Sequence, residues 1–163
     1  MSTIAVPQVW QPSDARTVAL EGMLPLPRGV LPADVPPLVW PAKDPSDVLD
    51  YALDASAALS GDPSDRVVTA AVAIVPNLSA ADLLLGNVFA EGGVVAMWLS
   101  GGQAGTVYAV QITLSTLHGR IIARTVLLPV QQMATAAPQT NMLTTGAGAI
   151  ITDLNGNPIL VGS

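Results

Sequence analysis

The chain has 163 residues, half of them hydrophobic, and its charged fraction of 11% lies far below the roughly 25% of ordinary soluble domains. Its net charge of −6 and lack of any basic cluster argue against nucleic-acid binding. With no cysteine, disulfides, thiolate metal sites and cysteine nucleophiles are excluded.

Aromatic residues are scarce, at 4%, so a core must be built from Val, Leu, Ile and Ala. A low-charge surface suits a protein largely covered by partners, since a free monomer needs charge to stay dispersed. A Gly/Ala/Val-rich sandwich from a genome biased toward those codons has the same composition. The start, MSTIAVPQVWQPSD, has neither a basic n-region nor an apolar h-region and predicts no signal peptide. The most apolar stretch, Leu83–Leu99, is interrupted by Gly86, Asn87, Glu91, Gly92 and Gly93, which excludes a membrane span there.

Residues 1–43 hold eight of the fourteen prolines, and Pro25, Pro27, Pro32, Pro36, Pro37 and Pro41 leave no room for a helix or a central strand. The segment is nonetheless rich in apolar residues, unlike a solvated linker. An extended, proline-rich arm of this kind is expected to lie along another surface. Trp10, Leu24, Leu26, Leu38 and Trp40 are its candidate anchors on a neighbouring subunit. The competing reading folds the arm back to seal an edge of its own domain.

Asp44–Leu59 fits either a helix capped at Asp44–Pro45 or a strand, and a strand over Val48–Ala55 agrees with the β character of the residues beyond it. Its four aspartates, Asp44, Asp47, Asp50 and Asp54, lack the spacing of a calcium loop and read as a solvated strand face. After a turn at Gly61–Asp65, Arg66–Val75 is almost wholly apolar and predicts a central strand buried on both faces. Leu83–Phe89 is the next strand. Val94–Val130 then reads as a three-strand meander, with strands at Val94–Ser100, Thr106–Thr116 and Arg120–Val130. In the longest, Tyr108, Val110, Ile112 and Leu114 form an apolar face with period two.

Residues 44–130 thus offer six or seven strands with frequent turns, the pattern of an all-β immunoglobulin/fibronectin-III-like β-sandwich. Residues 131–163 comprise a polar linker and a predicted C-terminal β-hairpin. Asn155–Gly156 forms its turn, between apolar runs that include Ile150, Leu154 and Ile159. An isolated hairpin is marginal in water, so this one is expected to add to a sheet edge.

Catalytic chemistry is not legible. His118 is the only histidine and sits in a hairpin turn, with no acid or nucleophile indicated by the sequence. Gly101–Gly105 joins strand to strand, which is the wrong context for a phosphate cradle. No cofactor or metal site is predicted.

Three segments carry a family resemblance: KDPSDVLDYALDASAAL at 43–59, MWLSGGQAGTVYAVQITLSTLHGR at 97–120, and IIARTVLLPV at 121–130. They resemble the tailed-bacteriophage fiber-tail adaptor proteins, whose pattern runs K-D-P-x-x-x-L-D-Y-x-x-D, then W-L-S-G-G-x-x-G-x-x-Y-x-V, then a G-R turn and a strand ending in P-V. This chain departs at Ala55, where the family usually has an aromatic. The resemblance covers residues 43–130 and leaves the arm and terminal hairpin outside. It implies an Ig-like structural protein of the virion, assembled in the host cytoplasm, that joins fibres or accessory proteins to the tail. The expected partners are other phage structural proteins, and copies of the chain itself in a homo-oligomer or symmetric ring, with no nucleic acid and no membrane. The alternatives are a capsid decoration or cement protein and a carbohydrate-binding adhesion module. The latter requires an exposed aromatic platform on the sandwich.

Overall fold

The computed structural model describes residues 11–21, 36–134, 145, 151–154 and 159. It divides into a unit of residues 1–133 and a second of residues 134–163. Among the described residues the first unit contains eight strands: β1 Thr17–Ala19, β2 Leu38–Val39, β3 Val48–Asp54, β4 Val67–Val75, β5 Leu83–Glu91, β6 Val94–Gly101, β7 Thr106–Thr116 and β8 Ile121–Val130. They form two mixed sheets, in the orders β1-β3-β6-β5 and β2-β8-β7-β4.

The inward rows of both sheets meet in one hydrophobic core. Tyr51 and Leu53 of β3 and Val95, Met97 and Leu99 of β6 face Tyr108, Val110, Ile112 and Leu114 of β7 and Val126 and Leu128 of β8. The chain is therefore an all-β sandwich, and the period-two face expected in β7 is its inner row. Each fully buried Val, Leu or Ile of this row contributes about 1.5–3 kcal/mol.

Two expected placements differ. The strands of Val94–Val130 are not one meander: β6 pairs with β3 and β5, whereas β7 pairs with β4 and β8. Gly101–Gly105 carries the chain from one sheet to the other. Periodicity reports which residues face inward, not which strand lies alongside. Nor is β4 central. It is the last strand of its sheet, and beyond buried Val67 its residues are exposed or half-buried. An edge strand of Ala, Val and Thr whose outer side carries no charge produces the same unbroken apolar run as a doubly buried one.

The described parts of the arm belong to the sandwich. β1 pairs in parallel with β3, and β2 in parallel with β8. Leu20 N–H donates to Asp54 C=O at 2.7 Å, and Trp40 N–H donates to Leu127 C=O at 2.9 Å. Trp40, expected as an anchor on a partner, is instead 1% exposed in this chain's own core. Its indole Nε1 donates to the Ala52 carbonyl at 3.0 Å, and its ring tilts against Tyr51 with centroids 5.2 Å apart. Leu38 is half-buried in β2, packed against the same core. Proline-rich sequence excludes interior strands, but it permits short edge strands, where the outward N–H needs no partner. The competing reading, an arm that seals its own sheet edges, therefore holds for these residues. Trp10, Leu24 and Leu26 lie outside the described residues.

In the second unit, Ile159 N–H donates to Ile151 C=O at 2.9 Å, and Ile151, Leu154 and Ile159 are exposed. Ile150, Asn155 and Gly156 lie outside the described residues.

Trp40→Ala is expected to lower unfolding stability by about 3–5 kcal/mol, the usual cost of emptying an aromatic core position. Chemical denaturation measures it; a loss below about 1 kcal/mol would show that residues 36–43 lie outside the cooperative fold.

Candidate functional site

Lys43, Gly101, Gly102 and Tyr108, which belong to the motifs of the family resemblance, come together at one end of the sandwich, where the chain crosses between sheets. Tyr108 is fully buried on β7, and its hydroxyl accepts from Gln103 N–H at 2.9 Å and donates to Asp82 Oδ1 at 2.9 Å. Asp82 immediately precedes β5 in the opposite sheet. Its carboxylate also accepts from Leu78 N–H and Ser79 N–H, each at 2.8 Å, and from Gln103 Nε2 at 3.0 Å. The Leu78 and Ser79 backbone donors, with the Tyr108 hydroxyl, stabilise the ionised form and hold the Asp82 pKa down at about 2.

Two neighbours tighten this clasp. Gly102 has φ +96°, and a Cβ there would lie 2.9 Å from Val130 Cγ2 and 3.3 Å from Tyr108 Cε2, so only glycine fits. Lys43 is fully buried, with Nζ donating to Gly101 C=O at 2.6 Å and to Asp44 C=O at 2.7 Å. Burial lowers its pKa, opposed by nearby Asp47 and Asp44. The arrangement binds backbone and closes the sandwich; its polar atoms are spent on one another.

The aspartates read as a solvated strand face are likewise committed. Asp44 accepts from Ser46 and from Met133 N–H. Asp50 is buried rather than solvated, and its carboxylate receives Arg16 at 2.5 Å and Ser13 N–H at 2.8 Å. Burial pushes the Asp50 carboxyl up, but the Arg16 and Ser13 donors outweigh it and leave the pKa below the ordinary value.

At the other end, Asp62, Asp65 and His118 come close enough together to suggest metal ligands. The guanidinium of Arg120, however, reaches both carboxylates and supplies the positive charge there. His118 Nδ1 lies 2.7 Å from Asp62 Oδ2, and this contact leads in holding the Asp62 pKa at about 2. The Ser64 hydroxyl donates to Asp62 rather than to the imidazole. The grouping joins the Gly61–Asp65 turn to the β7–β8 turn.

The outer faces differ sharply. On the β8-β7-β4 sheet, register sets Ala71, Thr113 and Ala123 in one row, Ala73, Gln111 and Thr125 in the next, and Val75, Ala109 and Leu127 in a third. None of these residues is charged. On the other sheet, β1, β3, β5 and β6 border an open groove of about 610 Å³ lined by Asp14, Asp54, Phe89, Glu91 and Val94 among others. Phe89 is 45% exposed there and Trp98 half-buried on the same face, whereas Tyr51 and Tyr108 lie in the core. Phe89 sits on the outer row of an edge strand.

The sequence reading missed Asp82 and Gln103. The available signal was an acid directly ahead of the apolar run Leu83–Leu85.

A family model described as podophage GP4 fiber-tail adaptor protein gp77 matches residues 43–129. None of the curated proteins compared with the chain matches it.

Tyr108→Phe is expected to cost about 1–3 kcal/mol, because it strands the Gln103 N–H and removes a donor to Asp82. The low pKa of Asp82 carries a sign. A carboxyl depressed in the folded state contributes its full stability above its ordinary value near 3.8, and loses it as pH falls toward 2. Thermal melts from pH 5 to pH 2 are expected to fall steeply in the wild type and less steeply in Asp82→Asn. Parallel curves would show that Asp82 does not carry the acid transition.

Proposed function

We propose, from the premise that this chain belongs to the podophage GP4 fiber-tail adaptor family, that it links fibres or accessory proteins to the tail through its terminal segments. The family makes it a tail-associated structural protein of the virion and implies a non-enzymatic role. The observation that carries the proposal is the match itself, which takes in the Lys43, Gly102 and Tyr108 clasp and most of the core. The three uncharged rows on the outer side of β8-β7-β4 support it, since a surface poor in charge is easily covered by a neighbour.

The finer fold is immunoglobulin-like. The order β3-β6-β5 opposite β8-β7-β4 follows the B-E-D and G-F-C arrangement of those sandwiches. The Tyr108 hydroxyl, bonded back to the Gln103 backbone near the start of β7, supports it as a tyrosine corner.

In this reading the docking anchors are Trp10, Leu24 and Leu26, together with the terminal segment that includes Ile150, Leu154, Asn155, Gly156 and Ile159. Leu38 and Trp40 hold the arm to its own sandwich. Partners are other phage structural proteins, with the contacts repeated by symmetry so that weak ones sum to a strong attachment. Assembly takes place in the host cytoplasm.

Purified particles separated into heads and tails are expected to carry the chain in the tail fraction by mass spectrometry; recovery only with heads would overturn the reading in favour of a capsid cement. The triple variant Trp10→Ala, Leu24→Ala, Leu26→Ala is expected to melt near the wild-type temperature yet to enter particles at least tenfold less. Normal incorporation would remove the arm from the mechanism.

A further inference from the structure

Sheet edges expose unpaired backbone groups, and proteins ordinarily blunt them with short strands, bulges, charge or proline. Three of the four edges here are managed in that way. β1 and β2 are three and two residues long. β5 carries a bulge between Leu85 and Val88 and ends in Glu91. β4 differs over most of its length. It is nine residues long and contains no charged residue and no proline; its bulge, between Val67 and Thr69, is confined to its start, and from Thr69 to Val75 it pairs regularly with β7. Among the described residues, no strand pairs with its other side. Its core-side residues Ala70, Val72 and Ile74 are only half-buried, whereas their partners Leu114, Ile112 and Val110 on β7 are at most 1% exposed.

We propose that β4 pairs antiparallel with β4 of a second copy of this chain, about a two-fold axis through Val72, joining two four-stranded sheets into one. The segment Thr69–Val75, TAAVAIV, suits its own reverse. On the core side Ala70 falls opposite Ile74 on either side of the axis, small against large, with Val72 meeting Val72. On the outer side Ala71 meets Ala73 and Thr69 meets Val75. A two-fold interface sets each residue against its mirror position, so a charge anywhere in the strand would meet an apolar residue; here there is none. For a chain of net charge −6, this flank joins two copies without bringing like charges into register. The added strand covers the half-buried core-side row. The pairing concerns this chain with itself and stands apart from which virion component the arm engages.

The absence of native cysteine makes a direct test possible. In the proposed register two Val72 Cα atoms lie about 4.5–5.5 Å apart, within disulfide reach. Two Ala70 positions lie about 14 Å apart, four residues along the strand, and are out of reach. Full-length protein at tens of micromolar is expected to show a doubled mass by light scattering. Val72→Cys is expected to form a disulfide dimer under mild oxidation and Ala70→Cys not to. Ala71→Lys with Ala73→Lys is expected to return the mass to one copy with the circular dichroism spectrum unchanged. A wild-type monomer, equal cross-linking of both cysteine variants, or a dimer that survives both lysines would overturn the proposal. Because these experiments use purified protein, they fail independently of the tail assignment.

Discussion

The hydroxyl of Tyr108 is the point on which the sandwich closes. It takes one hydrogen bond from the Gln103 backbone and gives one to Asp82, and so ties β7 to the loop that starts β5 in the facing sheet. A buried hydroxyl with both roles filled offsets the cost of its desolvation, whereas one left half-satisfied would weaken the core around it. The crossover from β6 to β7 is shaped around this group. Gly102 gives it room, Lys43 holds the preceding carbonyl, and Gln103 supplies both a backbone and a side-chain donor. The segment WLSGGQAGTVY therefore closes this end of the sandwich.

Once the end is closed, the molecule is defined by where it keeps its few charges. Most described acids are turned toward donors in loops and at strand ends: Asp82 in the clasp, Asp50 beneath Arg16, and Asp62 and Asp65 against Arg120. Three outer rows of one sheet and one long edge are left without charge. A domain that spends its ions internally has little to keep its copies apart, which fits a component that functions within an assembly.

Much of the fold was legible because burial imposes a period. The alternation of Tyr108, Val110, Ile112 and Leu114 marked the inner row of β7, and β3 falls within a residue of the expected range. Neighbour relations were not legible, because pairing depends on contacts distant in sequence. The same inward alternation serves a meander and two facing sheets equally. The apolar run of β4 misled for a related reason: alanine and valine on an uncharged outer face look like burial. Trp40 was misplaced because proline spacing says only that the chain is extended, and an extended segment can lie on its own domain as well as on another. Asp82 escaped notice because a lone acid in a loop has no pattern until its donors are assembled around it.

The parallel pairing of β2 with β8 has a consequence for the order of events during synthesis. Leu38 sits beside Val126, and Trp40 donates its backbone N–H to Leu127, so the berth of the arm is built from the last strand of the sandwich. The ribosome delivers the arm first and its berth last. Tyr51 and Ala52 of β3 emerge soon after Trp40, but until β8 follows, the Trp40 backbone N–H has no partner and Leu38 no neighbouring strand. Non-local pairing of this kind is slow to form. The same lag leaves β2 without its strand partner until the rest of the sandwich has been made.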